Sequence, residues 1–347
     1  MKIILGIAGE GYGHATRCKT LIEHINHIKK HKLKILTGGK SFEYLSKEEK
    51  ITKIAVPRLV YVNNELSTTL SGLINIIKTP SMIYSFAKTF FVFLKFKPHL
   101  VINDFEMFSN WMGILFRIPI VHIDNGRIVV EGKIATPKKP LLSYLKVVFW
   151  GKFMNPTKIF GIIPSFFKVP CKENNKIVFP PIRKEIKKLK PKDKKHILVY
   201  QTSKSYSKLI DELKKVDKKF VVYGFDIEKK EENILFRKFN EKQFFKDLGD
   251  CNSVITNGGF SLISESIYLN KPVLSCPVKK QFEQETNAFY LDKSGYGKKV
   301  SFLSAENIRK FIEDLDEYRE NLKKAKWEND FLEEIDLVIE RTVNKYH

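Results

Sequence analysis

The sequence is poor in cysteine and lacks any long hydrophobic run. Its four cysteines are scattered, and no two of them form a Cys-x-x-Cys pair, so the spacing predicts neither a disulfide framework nor a structural zinc site. The apolar run at residues 3–8 is too short for the core of a signal peptide. The run at 90–96 contains Lys95 and falls far below the ~20 residues that a membrane-spanning helix needs. These absences predict a reducing, cytoplasmic setting.

Acidic residues and arginine are also scarce, which leaves a lysine-rich chain. The formal net charge is +22, and residues 1–180 alone hold 27 Lys and Arg against 11 Asp and Glu. Two windows, residues 66–103 and 132–172, contain no acidic residue. This positive charge predicts an anionic partner, which could be a membrane surface, a phosphorylated substrate or a nucleic acid. The alternative is that the proteins of this organism are generally rich in lysine. Nucleic acid is the least favoured partner, because only nine of the 61 basic residues are arginine and no recognised nucleic-acid motif is present.

Short apolar strands alternate with helix-length segments throughout the chain. This order predicts an α/β fold with parallel sheets covered by helices, and 347 residues fit two domains of roughly 150 residues each. We therefore predict two doubly wound Rossmann-like domains facing across a cleft, with an exposed linker starting in the Pro- and Lys-rich stretch 180–195. The predicted strands are 2–8, 33–36, 51–56, 99–102, 120–123, 196–200, 219–223, 234–236, 253–256 and 273–275. The predicted helices include 15–28, 208–216, 241–248 and 260–269.

A glycine-rich turn, Gly9-Glu-Gly11-Tyr-Gly13-His14, follows the first predicted strand. It lacks the x-x-Gly step of a dinucleotide fingerprint, and no acidic residue ends the second strand, so a dinucleotide-dependent oxidoreductase is disfavoured. The turn brings His14 to a helix N-terminus, where the helix dipole disfavours the charged imidazole and favours a neutral base. A purely structural role for His14, as a helix cap or a partner of the backbone, is the alternative.

Polar residues gather at the carboxyl ends of several strands, where ligands of open α/β sheets bind. The most informative stretch begins with Thr-Asn-Gly-Gly at 256–259, in which backbone N–H groups and a helix N-terminus could bind a phosphate. Glu265 could then accept both hydrogens of a ribose diol, and Glu283 and Gln284 could bind sugar hydroxyls. Alternatively, Glu265 is an exposed helix charge and Gln284 a helix cap. The candidate residues at these strand ends are Asp104, Asp124, Asn125, Ser203, Lys204, Asn257, Gly258, Gly259, Ser261, Glu265, Glu283, Gln284 and Asn287.

These residues resemble the C-terminal signature of GT-B glycosyltransferases. The pattern is Thr-x-Gly-Gly-x5-Glu, then Pro-x4-Pro, then Glu-Gln-x-x-Asn-Ala. It is similar to the lineage that contains the family 28 lipid II-forming N-acetylglucosaminyltransferase, the monogalactosyldiacylglycerol synthases and the plant UDP-glucosyltransferases, and the turn at 11–14 resembles the N-terminal counterpart. The resemblance implies that Glu265 binds the ribose of a nucleotide and that Glu283 and Gln284 bind hydroxyls of the donor sugar.

Three positions depart from the family pattern. Leu262 stands where Ser or Thr is usual, so Ser261 or backbone amides would have to hold the diphosphate. Asn257 stands where a basic residue or histidine often precedes the double glycine. The loop at 201–204 is not glycine-rich, and Lys204 could supply the missing positive charge.

The resemblance also implies that His14 is the catalytic base or lies beside the acceptor, with an aspartate partner. Asp104 is the first candidate for that partner and Asp124 the second, and Gly11, Gly13 and Arg17 are expected to line the same substrate site. The implied reaction is an inverting, metal-independent hexosyl transfer from a nucleoside-diphosphate sugar, with a UDP-sugar expected first, to an acceptor hydroxyl. No cofactor is required. The acceptor is expected to be lipid-linked or part of a cell-envelope glycan.

The implied reaction assigns a role to each part of the chain. Residues 1–180 are expected to bind the acceptor, residues 181–327 the nucleotide-sugar, and residues 328–347 to form a helix that packs back on the N-terminal domain. The alternative function is a nucleotide-sugar hydrolase or epimerase on the same fold. It arises because Gly13-His14-x-x-Arg17 also resembles the sugar-nucleotide hydrolase of pseudaminic acid synthesis.

Two apolar stretches with lysines, 73–94 and 141–153, suggest a membrane surface. Apolar residues flanked by lysines suit an anionic bilayer, so we expect peripheral attachment at the inner face of the plasma membrane. The alternative is that both stretches are helices that face a protein core. The apolar positions with helical spacing in the first stretch are Leu73, Ile74, Ile77, Ile83, Phe86, Phe90, Phe93 and Leu94, beside Lys78, Lys88, Lys95 and Lys97.

Overall fold

The protein is described by a computed structural model that covers residues 1–10, 12–58, 60–62, 65–132, 160–201, 208–278, 281–325 and 330–346. Strands alternate with helices along the chain, which divides into two compact units. The N-terminal unit comprises Met1–Val60, Ser67–Pro181 and Trp327–His347. The C-terminal unit comprises Tyr61–Leu66 and Ile182–Lys326.

The first nine strands are β1 (Lys2–Ile7), β2 (Lys32–Thr37), β3 (Ile51–Lys53), β4 (Tyr61–Val62), β5 (Glu65–Leu66), β6 (Leu100–Asp104), β7 (Ile120–His122), β8 (Gly161–Pro164) and β9 (Asn175–Val178). Seven of them form one sheet in the order β3-β2-β1-β6-β7-β8-β9, in which all neighbours are parallel. β4 and β5 pair with each other and are antiparallel.

Helices cover both faces of this sheet, and they are α1 (Tyr12–Ile28), α2 (Gly39–Leu45), α3 (Thr68–Ile77), α4 (Thr79–Phe96), α5 (Met107–Leu115) and α6 (Arg127–Glu131). Alternate residues of β1 enter different cores. Ile3 and Leu5 pack with residues of α1, whereas Ile4 packs with Phe93 of α4 and Met112 of α5. Because both faces are covered, the strand reads in the sequence as a continuous apolar run.

The C-terminal unit has a second seven-stranded sheet, in the order β12-β13-β11-β10-β14-β15-β16. Neighbours are parallel except β12, which runs antiparallel to β13 at one edge. Its strands are β10 (His196–Tyr200), β11 (Lys219–Tyr223), β12 (Lys229–Glu231), β13 (Ile234–Arg237), β14 (Ser253–Thr256), β15 (Val273–Ser275) and β16 (Gly297–Lys299). Its helices are α7 (Lys184–Lys187), α8 (Lys208–Lys214), α9 (Glu241–Asp250), α10 (Phe260–Tyr268), α11 (Phe282–Lys293), α12 (Ala305–Glu313) and α13 (Leu315–Lys324).

The last helix, α14 (Phe331–Tyr346), belongs to the N-terminal unit. Phe331 and Ile335 are buried in the same core as residues of β1 and α1. On the rim of that core, His24 Nε2 lies 2.9 Å from each carboxylate oxygen of Asp336. The final helix therefore completes the core of the unit that contains the start of the chain.

All ten predicted strands coincide with observed strands, although the one expected at 51–56 ends at Lys53. Six strands were not predicted, and two of them, β4 and β5, are two-residue strands that pair with each other. β12 and β16 are three-residue edge strands with little apolar pattern, and β8 and β9 combine apolar residues with Gly, Pro, Asn or Lys. The stretch at 180–195 is mostly exposed, as expected of a linker, but Ile182 and Ile186 are buried in the C-terminal unit.

Candidate active site

The sheet order brings His14 and Asp104 together in the N-terminal unit. β1 and β6 are neighbours, and Ile7 of β1 pairs with Asp104, the last residue of β6. The chain then turns into α1, whose first turn carries His14, and Nδ1 of His14 lies 3.0 Å from Oδ1 of Asp104. Asp104 is fully buried, whereas the His14 side chain is 21% exposed. With the proton on Nδ1, the imidazole donates to Asp104 and Nε2 has the lone pair that a general base needs.

Two further donors from α1 reach the Asp104 carboxylate. Arg17 lies one turn after His14, and its Nη2 is 2.5 Å from Oδ1 of Asp104. Cys18 donates from Sγ to Oδ2 at 3.1 Å. Burial alone would raise the pKa of Asp104, but Arg17 and His14 hold that pKa well below its usual range. Asp104 is therefore ionised at neutral pH, as a carboxylate that orients a histidine must be.

Asp124 is a second buried carboxyl group near this cluster. It follows β7, the neighbour of β6, and its charge interacts with those of Asp104, Arg17 and His14. Its Oδ1 accepts the backbone N–H of Arg127 at 2.9 Å, whereas Oδ2 is buried and has no hydrogen-bond partner among the described residues. Burial raises the pKa of Asp124 to about 6, and the positive charge of Arg127 only partly opposes this.

The other predicted residues of this unit lie in the same turns. The Gly13 carbonyl accepts the hydroxyl of Thr16 at 3.1 Å, within the first turn of α1. Asn125 is buried directly after Asp124, and its carbonyl accepts the N–H of Ile128 at 3.1 Å. Three other predicted site residues, Gly11, Ser203 and Lys204, lie outside the described residues.

In the C-terminal unit, β14 ends at Thr256 and a double glycine leads into α10. Gly258 has φ +93°, and a Cβ there would meet the Gln284 carbonyl at 2.9 Å and the Ser275 hydroxyl at 3.1 Å. Glycine is therefore required at 258 for both its backbone angle and its close contacts. Gly259 is the N-cap of α10 and has open space where a Cβ would lie. This turn can therefore present backbone amides to an anion.

Glu265, the predicted ribose ligand, is held by an arginine that the sequence analysis did not single out. Arg183 donates from Nε to Oε1 at 2.6 Å and from Nη2 to Oε2 at 2.7 Å, while its Nη1 donates to Glu241 at 3.0 Å. The guanidinium also lies 4.4 Å from the centre of the Phe245 ring. The Glu265 side chain is only 4% exposed. Arg183 is the single arginine in the lysine-rich stretch 180–195, which was the available signal.

The amide side chains that were predicted to bind the donor form hydrogen bonds with backbone groups of the surrounding turns. Asn287 donates from Nδ2 to the Gly258 carbonyl at 3.1 Å, and Asn257 donates from Nδ2 to the Cys276 carbonyl at 3.3 Å. Gln284 accepts the N–H of Val278 on Oε1 at 3.0 Å. The two other predicted residues here are Ser261, in the first turn of α10, and Glu283, which is exposed.

Two buried polar atoms at the ends of the strands on either side of β14 have no hydrogen-bond partner within the described part of the chain. They are Oε1 of Gln201, after β10, and Oγ of Ser275, at the end of β15. β10 and β15 flank β14, so both atoms lie at the same edge of the sheet as the double glycine. Buried polar atoms usually have hydrogen-bond partners, so these two oxygens could form hydrogen bonds with a polar ligand bound at this edge of the sheet. Ser275 was missed in the sequence because it reads as the last residue of an apolar strand.

Two kinds of feature are absent from the described part of the chain. No helix there is long and apolar enough to cross a membrane. No group of three or more His, Cys, Asp or Glu side chains there is arranged to hold a metal ion.

The sequence is similar to those of glycosyltransferases from two Methanosarcina species. The chain is 24% identical over 383 residues to an uncharacterized glycosyltransferase of Methanosarcina acetivorans, covering 99% of each protein. It is 27% identical over 351 residues to one of Methanosarcina mazei, covering 89% of this chain and 88% of that protein.

Solved structures with similar folds are glycosyltransferases. The spinosyn forosaminyltransferase has a TM-score of 0.67 at 11% identity, over 98% of this chain and 99% of that one. The glycosyltransferase SnogD from Streptomyces nogalater has a TM-score of 0.61 at 15% identity, over 94% of each chain. These structures share the GT-B fold, which confirms the predicted fold class of two parallel-sheet Rossmann-like domains. The model of the family described as glycosyl transferase family 1 matches residues 1–316, and the chain belongs to that family.

Proposed function

We propose that this member of the family is an inverting, metal-independent hexosyltransferase that uses a nucleoside-diphosphate sugar. The observation that carries the proposal is the contact between His14 and Asp104. It joins a partly exposed imidazole to a buried, ionised carboxylate at the carboxyl end of a parallel sheet, where such folds bind ligands. This arrangement can supply a general base without a metal ion.

In the proposed reaction, Nε2 of His14 takes the proton of the acceptor hydroxyl while the oxygen attacks the anomeric carbon. The bond from that carbon to the diphosphate oxygen breaks on the opposite face, so the configuration inverts and the nucleoside diphosphate leaves. Asp104 holds the ring through Nδ1–H and stabilises the imidazolium that forms. Gly11, Gly13, Asp124 and Asn125 are assigned to the acceptor side of this reaction.

The donor is assigned to the C-terminal unit. Backbone amides at the Gly258-Gly259 turn and the N-terminus of α10 suit the diphosphate, whose negative charge grows as the bond breaks. Glu265 is assigned to the ribose diol, and its bidentate pair with Arg183 fixes the orientation of the carboxylate for that role. We propose a UDP-sugar as the donor. The remaining residues assigned to donor contacts are Ser203, Lys204, Asn257, Ser261, Glu283, Gln284 and Asn287.

The acceptor is proposed to be lipid-linked, because α3 and α4 expose an unusual number of apolar side chains. Ile76 is 69% exposed and Ile77 is 78% exposed. The other exposed apolar residues of the two helices include Leu70, Leu73, Ile83, Tyr84, Phe86, Phe91 and Leu94. Contiguous exposed apolar surface of this kind marks interaction sites.

Lysines near these helices favour an anionic bilayer as the partner. Lys95 and Lys97 are exposed, whereas Lys78 and Lys88 donate to the backbone carbonyls of Val56 and Lys53. Part of the predicted pattern is core instead, since Phe93 is buried. The second stretch, 141–153, lies outside the described residues. Peripheral attachment at the inner face of the plasma membrane, and a cell-envelope glycan as product, follow from this proposal.

A thermal-shift screen of the purified protein against nucleotide-sugars tests the donor assignment. We expect a UDP-sugar to raise the melting temperature and the Glu265→Ala variant to lose that rise. Glu306→Ala, at an exposed position on α12, is the matched control and should respond like the wild type. A wild type that no nucleotide-sugar stabilises would overturn the donor assignment.

The catalytic assignment is tested by turnover with the stabilising donor. His14→Ala should abolish transfer while the donor still raises the melting temperature, since His14 acts on the acceptor. Hydrolysis of the donor at full rate without any acceptor would instead support the nucleotide-sugar hydrolase.

A further inference from the structure

Arg17 contacts both members of the proposed base. Its Nη2 is 2.5 Å from Oδ1 of Asp104 and 2.9 Å from Nδ1 of His14, and these two atoms are themselves 3.0 Å apart. These three atoms are thus the corners of a triangle, and each lies within hydrogen-bonding distance of the other two. The Arg17 side chain is only 5% exposed, so the contact is shielded from solvent. Arg17 was expected to bind substrate, but in this structure its guanidinium is committed to the two side chains that would activate the acceptor.

The triangle constrains where the protons lie. If Nδ1 of His14 carries the proton, the guanidinium and the imidazole both donate to Asp104, and Nε2 can act as a base. If Nε2 carries the proton, Nδ1 accepts from Arg17 and the imidazole cannot take a proton from the acceptor. An ionised Asp104 favours the first arrangement, because it is an acceptor for both donors.

Arg17 also changes the charge that His14 experiences. A lone buried carboxylate beside an imidazole favours the imidazolium, which could no longer act as a base. A guanidinium in contact with the same carboxylate cancels most of that effect. The ionisable groups around His14 come from three places: Arg17 and Cys18 on α1, Asp104 at the end of β6, and Asp124 after β7. Cys18 is a thiol donor, because burial raises its pKa well above the usual value.

We propose that Arg17 is a positioning residue: its guanidinium neutralises the Asp104 carboxylate and fixes the orientation of the His14 ring so that Nε2 can act as the base. The base is then a triad of His14, Asp104 and Arg17 rather than a pair. The His14-x-x-Arg17 spacing has a physical reason in this arrangement, because residues three apart lie on the same side of a helix. The inference rests on the proposed function, since it concerns the base of the same transfer reaction.

The test is the pH dependence of kcat/KM for sugar transfer in four variants. Arg17→Met removes the positive charge at similar length, so the acidic limb of the profile should move up by about 1 pH unit or more, with activity recovering at higher pH. Arg17→Lys keeps the charge and should leave the limb within about 0.3 pH unit of wild type, even if kcat falls through poorer geometry. The rise in melting temperature caused by the donor should be unchanged in both variants.

Two further variants keep the test decisive if Arg17→Met does not fold. Asp104→Asn removes the negative charge and keeps the positive charge of Arg17, so the acidic limb should move to lower pH. The double variant Arg17→Met with Asp104→Asn removes both charges, so the acidic limb should return to its wild-type position. The inference would be overturned if the acidic limb lay at the same pH in these two variants, or if Arg17→Met lost activity equally at every pH. A raised KM for the acceptor with an unmoved limb would show substrate binding instead. If His14→Ala retains full activity, the proposed function itself fails, and this result differs from every outcome that would overturn only the role of Arg17.

Discussion

Asn287 donates a hydrogen bond from Nδ2 to the carbonyl oxygen of Gly258, at 3.1 Å and across 29 residues of sequence. The bond ties the first turns of α11 to the double-glycine turn before α10. We expect Asn287→Ala to destabilise the protein by about 1–2 kcal/mol, because the buried carbonyl loses its donor, and to weaken nucleotide-sugar binding. Urea denaturation and donor titration measure the two effects. Asn307→Ala is the control for donor affinity, since Asn307 Nδ2 makes an exposed hydrogen bond to the Phe302 carbonyl at 3.1 Å; equal donor affinity in both variants would contradict the prediction.

The two glycines of this turn should respond differently to alanine. Gly258→Ala forces a side chain into φ +93° against the Gln284 carbonyl, which should cost roughly 2–4 kcal/mol of stability. Gly259→Ala meets no atom within 4 Å and should leave stability nearly unchanged. If the turn holds the diphosphate, the Gly259→Ala methyl group should still reduce donor affinity. Comparison of melting temperatures with and without donor separates these outcomes, and a stable Gly258→Ala variant would be inconsistent with the observed geometry.

Asp124→Asn should change stability in a pH-dependent way. The pKa of Asp124 is raised to about 6 from 3.8, so the folded state holds the proton more tightly than the unfolded chain does. Stability contributed by the protonated form is therefore lost as pH rises from about 4 to about 6. Asparagine cannot ionise and can still accept the Arg127 N–H, so the variant should gain up to about 3 kcal/mol over wild type at pH 7 and almost nothing at pH 4. Denaturation curves at several pH values measure this; a constant difference would disprove it.

The Arg183–Glu265 pair should show strong energetic coupling. Arg183→Met leaves a buried carboxylate without its partner and should cost about 3–5 kcal/mol. The double variant Arg183→Met with Glu265→Gln should be more stable than Arg183→Met alone, since the unpaired charge is gone. A double-mutant cycle gives the coupling, and the exposed Lys310–Glu306 pair, which should show little coupling because solvent screens it, is the control. Additive effects at Arg183 and Glu265 would show that the pair is not a unit.

Replacing Ile76 and Ile77 of α3 by glutamate should reduce binding to vesicles that contain anionic lipid. The change removes exposed apolar area and adds negative charge, so we expect at least a tenfold loss of affinity. Leu115→Glu on α5 is the matched control, because Leu115 is also largely exposed. Vesicle flotation at low and high salt gives the measurement. Equal loss in the control, or no binding by wild type, would exclude α3 as a docking surface.

The positions of His14 and Asp104 could be predicted because they follow strands whose apolar runs are clear in the sequence. Strand order then decides which ends meet, and the adjacency of β1 and β6 came from the structure. Arg183 was out of reach for a different reason. Its neighbours are lysines and prolines, so the segment reads as a linker, and only folding shows that its guanidinium reaches Glu265, 82 residues later.

The apolar stretch at 73–94 shows a further limit of periodicity. Its helical spacing is correct, but spacing alone cannot tell a core-facing side from an exposed one. Phe93 lies in the core and the next residue of α4, Leu94, is exposed, although both belong to the same predicted pattern. The difference depends on which side of α4 packs against α5, and hence on tertiary contacts.

The packing of α14 bears on the order in which the chain can fold during synthesis. Phe331 and Ile335 fill the core around β1, so the N-terminal unit cannot close that core until residues beyond 330 have left the ribosome. By then the C-terminal unit, which ends at Lys326, has been made in full. Usually the first domain of a nascent chain folds first. Here the C-terminal unit can reach its native state before α14, the last helix of the N-terminal unit, has been synthesised.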